Sequence, residues 1–134
     1  MTKEFIPYQQ GLQLKELGFD EPCWAWWHIE DCDIRFCYSD QRSPIINSRE
    51  TEIVGLPLYQ QAFRWFREKC DLYVDLFVDD DKTFGFMISY FLDKDYFYER
   101  VDKPIQRKYT TYEEAEQACL EQLIQIVNDK RRSS

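Results

Sequence analysis

The stretch PCWAWWHIE, residues 22–30, decides the β part of the fold. It begins at a proline and is too aromatic for a surface helix, so we predict an extended strand. Alternate side chains of a strand point to opposite faces of the sheet. One set is predicted to face the core: Cys23, Ala25, Trp27 and Ile29. The other set is predicted to face away from it: Trp24, Trp26, His28 and Glu30.

The strand leads into a predicted β hairpin. A turn at residues 30–33 is followed by residues 34–38, in which apolar and polar side chains alternate. This pattern is typical of a hairpin with one buried face. It places Arg35 on the outward side, with the tryptophans. Residues 51–54 are predicted as a third strand.

The first helix is signalled at both ends and is predicted over residues 7–17. Pro7 suits the first helical position, where its missing N–H group costs no hydrogen bond. Gly18 suits the left-handed position that follows a helix, and Phe19 can then contact Leu14 in a Schellman motif.

Two further helices show an apolar stripe at helical spacing. The helix predicted over residues 58–70 carries this stripe at Tyr59, Ala62, Phe63, Phe66 and Cys70. The last helix opens at residues 111–114 with the Thr-x-x-Glu pattern of a capping box. Its stripe consists of Tyr112, Ala115, Cys119, Leu123, Ile126 and Val127. Residues 130–134 are predicted as a disordered tail.

A second β region follows the second helix. Its strands are predicted over residues 72–78, 84–92 and 96–101, and acidic turns join them. The chain is therefore predicted as an α+β fold in which two antiparallel β regions, which could join in one sheet, pack against three amphipathic helices. With 134 residues, it is predicted to form a single domain over residues 1–134.

Similar triplets open the three predicted helices: Tyr8-Gln9-Gln10, Tyr59-Gln60-Gln61 and Tyr112-Glu113-Glu114. Two interpretations stay open. The chain could contain a duplicated αββ unit with a closing helix, or amphipathic helix starts could simply look alike.

Composition excludes several classes of protein. A chain that is 44% hydrophobic and 17% aromatic is too apolar for intrinsic disorder. It has no apolar run of about 20 residues, as a membrane span requires. The net charge of −8 argues against direct nucleic-acid binding, which needs a basic surface. Five cysteines without an export signal indicate reduced thiols and a cytoplasmic location.

Three segments carry a resemblance to a known family: FIPYQQGLQLKELGFDEPC, AFRWFREK and TYEEAEQACLEQLIQIV. Together they resemble small uncharacterised acidic proteins encoded by phages and mobile elements of gut Bacteroidales. The strings LGFDEPC and FRWFREK are the most specific part of the match. The chain departs from the usual family pattern at Gly11 and at Cys70-Asp71. The resemblance implies a genomic context, and it implies no activity and no catalytic residue.

The cysteines, the histidine and the acidic residues form no established catalytic or metal-binding pattern. Cys23, His28, Cys32 and Cys37 follow the pattern C-x4-H-x3-C-x4-C, which lacks the tight pairs of a zinc knuckle, and strand parity places Cys23 and His28 on opposite faces. His28 and Cys37 share a predicted face, but no third group is evident to orient a nucleophile pair. The acidic turn at residues 79–81 is interpreted as a solvated hairpin tip. We therefore expect a protein without a cofactor and without enzymatic activity.

The remaining candidate is the outward face of the tryptophan-rich hairpin. Tryptophan and arginine are enriched among the residues that dominate the free energy of protein binding. We predict a partner-binding site formed by Trp24, Trp26, His28 and Arg35. The expected function is a non-enzymatic accessory or adaptor protein whose partner is another protein or a second copy of this chain, without membrane binding. The alternatives are a small-ligand-binding domain that uses the same aromatic residues, an acidic DNA mimic, or a face covered by the chain itself.

Overall fold

A computed structural model describes residues 4–36, 45–46, 53–91, 98–100 and 108–132. The helices are α1 (Tyr8–Leu17), α2 (Tyr59–Cys70) and α3 (Tyr112–Arg132). The first strands are β1 (Pro22–Cys23), β2 (Ala25–His28), β3 (Asp33–Phe36), β4 (Ile45–Ile46) and β5 (Ile53–Leu56). Three more follow α2, namely β6 (Tyr73–Val78), β7 (Phe84–Phe91) and β8 (Tyr98–Arg100). The predicted α+β class is confirmed.

The chain divides into two compact units, residues 1–61 and 62–134. The boundary lies inside α2, within a turn of its first residue. That one domain spans residues 1–134 stays a prediction.

The first unit is built on a three-stranded antiparallel sheet in the order β3-β2-β5, beside a two-stranded pairing of β1 with β4. α1 packs against β5. On the covered face of the sheet, the ring of Tyr8 stacks on Trp27 with the ring centroids 5.0 Å apart. The ring of Phe5 meets Phe36 edge-on at 5.5 Å. The start of the chain therefore covers the face that Ala25 and Trp27 share.

The end of α1 has the geometry expected from sequence. Gly18 has φ +106°, and its N–H donates to the carbonyl of Lys15. The N–H of Phe19 donates to the carbonyl of Leu14 at 3.0 Å. These are the two hydrogen bonds of the Schellman motif. At the other end Pro7 is extended and caps the helix, so the prediction that it occupies the first helical position is wrong by one residue.

The second unit contains a meander in the order β6-β7-β8, and α3 packs against β7. Phe84 meets Tyr112 of α3 edge-on at 5.9 Å, and Lys130 lies 5.8 Å from the ring centroid of Tyr90. Since these strand residues share one parity, α3 covers the face on which the fully buried Ile88 lies. The opposite face carries Tyr73, Asp75, Phe77, Gly85 and Met87.

Helix α2 closely matches its prediction. It begins at Tyr59 and ends at Cys70, and the predicted stripe is buried except for Cys70, which is half-buried. Trp65 lies outside that stripe and is also buried, with its ring edge-on to Phe66 at 5.0 Å.

Helix α3 begins as predicted, because the Glu114 N–H donates to Thr111 Oγ1 at 3.1 Å. Its buried face is wider than predicted and consists of Ala115, Glu116, Cys119, Leu120, Leu123, Ile124 and Val127. Tyr112, predicted as part of the stripe, is 37% exposed. The helix continues to Arg132, so the prediction of a disordered tail is wrong for residues 130–132. Residues 133–134 lie outside the described part of the chain.

The two three-stranded sheets differ in strand order. In the sheet β3-β2-β5 the central strand comes first in the sequence of the three strands. In the sheet β6-β7-β8 the central strand comes second. This difference gives no support to the αββ duplication. The described strands form separate sheets and do not join in one. None of the described helices is long and apolar enough to cross a membrane.

Candidate functional site

Trp24 lies in a bend that interrupts the predicted strand. Pro22 and Cys23 pair with β4, whereas the strand from Ala25 onwards pairs with β3 and β5. Cys23 and Ala25 are both fully buried, as predicted, and the indole between them is 47% exposed. The bend therefore holds Trp24 at the surface between two anchored neighbours.

Three of the four predicted site residues share one face of the sheet. Trp26 of β2 is directly opposite Arg35 of β3, and His28 is opposite Asp33. Directly opposite residues project from the same face, and so do alternate residues of one strand. Trp26 and His28 are half-buried on this face, with 19% of the His28 side chain exposed.

Arg35 is held by two carboxylates at the end of the hairpin. Its guanidinium hydrogen-bonds Asp31, and its Nε lies 3.5 Å from Asp33 Oδ1. The turn itself is tied together, because the Asp31 N–H donates to His28 Nδ1 at 3.3 Å and Cys32 Sγ donates to the carbonyl of Ile29 at 3.4 Å. The positive charge of Arg35 is therefore balanced within the hairpin.

The hairpin also exposes two isoleucines that the sequence placed elsewhere. Ile29 was expected in the core and is 40% exposed, because β2 ends at His28 and Ile29 begins the turn. Ile34, opposite Trp27, is 37% exposed. With Trp24, they are three of the six large hydrophobic residues exposed in the described chain. No feature of the sequence indicated that β2 ends at His28, and Ile29 was therefore predicted to be buried.

The thiol of Cys23, one of the candidate zinc ligands, is unreactive at neutral pH. Cys23 is fully buried, and burial together with nearby Glu21 raises the pKa of its thiol to about 12. It therefore stays protonated at neutral pH and is a poor nucleophile or metal ligand. Cys37, the other half of the His28 pair, lies outside the described residues. Within the ranges that the structure describes, His, Cys, Asp and Glu form no group of three or more suited to hold a metal ion.

The acidic turn between β6 and β7 uses one carboxylate in its own structure. Asp81 accepts hydrogen bonds from Lys108 Nζ at 2.7 Å and from Thr83 Oγ1 at 2.5 Å. The bonds from Lys108 and Thr83 lower the pKa of Asp81 to about 2. This carboxylate is thus already paired, with Thr83 of the same turn and with Lys108.

Comparison with protein-family models, with curated proteins and with solved structures gave no match. The resemblance to phage and mobile-element proteins stays a prediction.

Proposed function

We propose that this chain is a non-enzymatic accessory or adaptor protein that binds another protein through the tryptophan-rich hairpin of its first unit. The binding region, called the hairpin surface below, is defined by Trp24, Trp26, His28 and Arg35. The observation that carries the proposal is the 47% exposure of Trp24 in a bend whose flanking residues are buried. An exposed tryptophan is typical of the residues that dominate the free energy of protein binding.

The position of Trp24 favours binding because little order has to be gained. Cys23 and Ala25 are 0% exposed, so the backbone on both sides of the indole is anchored in the unit. A side chain presented on a fixed backbone loses less conformational entropy when a partner binds. Tryptophan also has few rotatable bonds for its contact area, which suits it to dominate an interface.

The neighbouring charged groups add rigidity. Arg35 is engaged by Asp31 and Asp33 and lies opposite Trp26. A guanidinium held in this way presents a planar surface beside an indole. The combination of aromatic groups and a fixed guanidinium supports recognition of a protein.

Affinity capture from a lysate of the cells that express the protein tests the proposal. Tagged wild-type chain should enrich a specific partner, and Trp24→Ala should weaken binding of the purified partner by about 30-fold, as expected for loss of a dominant contact of roughly 2 kcal/mol. Circular dichroism spectra of the two proteins should coincide, because the replaced indole is at the surface.

The matched control is Phe77→Ala, which truncates an aromatic residue that is 37% exposed in the second unit. It should leave capture unchanged. Undiminished capture by Trp24→Ala would exclude the hairpin surface, and loss of capture with Phe77→Ala alone would place the binding site in the second unit.

A further inference from the structure

We infer that β3 pairs antiparallel, edge to edge, with β3 of a second copy of this chain, in the register that places Ile34 opposite Ile34 of that copy. This inference goes beyond the proposed function. It concerns the outer edge of the sheet β3-β2-β5, which has only Arg35 in common with the hairpin surface.

The first step is that β3 is an edge strand. Among the described strands, it is hydrogen-bonded to β2 alone. An edge strand presents a row of backbone N–H and C=O groups with which another chain can pair. Asp33, Ile34 and Arg35 are all exposed, so a second strand can approach this edge. The edge is therefore a place where the sheet can be extended by another strand.

The second step is the small set of registers that a two-fold dimer allows. Residues directly opposite each other in an antiparallel pair project from the same face. Two copies of one strand meet this condition when one residue lies opposite itself on the two-fold axis. An axis at Asp33 would put two carboxylates opposite each other, and an axis at Arg35 would put two guanidinium groups opposite each other. Both registers are destabilised, because like charges directly opposite repel.

An axis at Ile34 makes the charges complementary. Asp33 of each copy then lies opposite Arg35 of the other, so two ion pairs form on one face of the joined sheet. Arg35 already contacts Asp31 and Asp33 of its own chain. Its guanidinium carries five N–H donors, so it can hold a further carboxylate at the same time.

The same register also brings apolar surface together on the opposite face. Ile34 shares that face with Trp27 and is 37% exposed at the edge of the sheet. In the dimer, the two Ile34 side chains meet across the axis, which removes part of this surface from water. Charge and apolar contact therefore favour one register, and the two-fold axis at Ile34 provides both.

Sedimentation equilibrium of the full-length wild-type chain is the first test. Four paired residues on each side bury a small area, so we expect a weak dimer that forms between micromolar and millimolar concentration. Added salt should weaken it, because the ion pairs lie at the surface. A reducing agent excludes disulfide links through the exposed Cys32. A chain that remains monomeric at millimolar concentration would overturn the inference.

Reversal of single charges tests the register. Asp33→Arg puts arginine opposite arginine in both pairs, and Arg35→Asp puts aspartate opposite aspartate. Each variant alone should dimerise at least about tenfold more weakly than wild type. An equimolar mixture of the two should form a heterodimer, because every arginine then faces an aspartate. Wild-type affinity in either variant, or a mixture that does not associate, would contradict this register.

A matched control separates the edge of β3 from the overall negative charge. Asp75→Arg changes the charge by the same amount at an exposed residue of β6 and should dimerise like wild type. Ile34→Lys is a second disruptive variant that leaves the hairpin ion pairs in place and sets two ammonium groups opposite each other. It should also lose at least about tenfold in dimer affinity. Equal losses in Asp75→Arg and Asp33→Arg would show that the effect is not local and would overturn the inference.

The proposed function and this inference fail in different experiments. Trp24→Ala leaves the edge of β3 intact and should dimerise like wild type, even where it loses the captured protein. Ile34→Lys leaves the hairpin surface intact and should still capture that protein as a monomer. A dimer that is lost in Trp24→Ala and kept in Ile34→Lys would lie on the hairpin surface, which would overturn the pairing of β3.

Discussion

Gly11 of α1 lies so close to Leu56 of β5 that a methyl group at Gly11 would come within 2.8 Å of Leu56 Cδ2. It would also lie 3.1 Å from the carbonyl oxygen of Gly55 and 3.3 Å from Val54 Cγ1. The missing side chain therefore permits the close approach of α1 to β5, which covers one face of the first sheet.

Replacement of Gly11 by alanine is expected to destabilise the protein, although alanine is the better helix former. Helix propensity alone favours alanine by about 1 kcal/mol. Overpacking against Leu56 and the fixed backbone of Gly55 costs about 1–3 kcal/mol. We expect Gly11→Ala to lower the free energy of unfolding by about 1 kcal/mol in urea denaturation. Gln13→Ala, at an exposed position of the same helix, serves as control and should not lower it. A Gly11→Ala protein more stable than wild type would contradict the close contact.

Phe77 of β6 covers Gly85, its direct partner in β7. A Cβ atom at Gly85 would lie 2.8 Å from Phe77 Cζ, so the ring occupies the space above the glycine. We expect Phe77→Ala to cost about 1 kcal/mol, because it removes this cross-strand contact. Gly85→Ala should be close to neutral or destabilising in the wild-type chain, because the Phe77 ring fills the space. In the Phe77→Ala chain that space is open, and Gly85→Ala should be stabilising because alanine is the better strand residue. Urea denaturation of the four proteins measures this coupling, and strictly additive effects would exclude it.

Lys82 occupies a position in the β6–β7 turn that favours glycine. Its φ is +64°, and the turn is closed by hydrogen bonds from the Lys82 N–H to the Asp79 carbonyl and from the Asp79 N–H to the Thr83 carbonyl. A residue with a side chain is strained by about 1–2 kcal/mol in the left-handed region, and glycine removes this strain. Part of that gain in stability is lost because glycine has more conformational freedom in the unfolded chain. Lys82→Gly should therefore raise the free energy of unfolding by about 0.5–1 kcal/mol.

The control for Lys82 is Asp80→Gly in the same turn, because Asp80 is outside the left-handed region. That substitution should lower stability. Thermal denaturation compares the two variants, and a loss of stability in Lys82→Gly would show that its side chain contributes more than the strain costs.

The features that sequence predicted best depend on residues close together in the chain. The Schellman motif at Gly18 and the Thr111 cap each involve a few consecutive residues, so local preferences were enough. The bend at Trp24 depends on the pairing of Cys23 with Ile45, far along the chain. Strand alternation cannot predict such an interruption. Nor can it predict where a strand ends, and the inward position of Ile29 was predicted wrongly because β2 stops at His28.

The buried face of α3 shows a second limit. The single apolar stripe read from the sequence correctly predicted that Ala115, Cys119 and Leu123 are buried. A helix that packs on a sheet buries a wider band than one stripe, and Leu120 and Ile124 complete this band. Glu116 was left out of the prediction because it is charged, although its position lies within the band.

Glu116 is only 8% exposed, and the pKa of its carboxyl is raised by burial and by the negative charge of Glu113. A carboxyl group with a raised pKa in the folded state is destabilising once it ionises. The folded protein binds more protons than the unfolded chain at pH values between the ordinary pKa of 4.5 and the raised value. Stability therefore falls as the pH rises through this window, and the full penalty is present above it.

Glu116→Gln is expected to remove this penalty. The variant should have a higher free energy of unfolding than wild type at neutral pH, and the difference should shrink as the pH is lowered below the window, where Glu116 is protonated in both states. Urea denaturation at a series of pH values measures the difference. Glu121→Gln, at an exposed position of the same helix, should leave the pH dependence unchanged. If the free energies of unfolding of wild type and Glu116→Gln differ by the same amount at every pH, the fold does not penalise the Glu116 carboxylate.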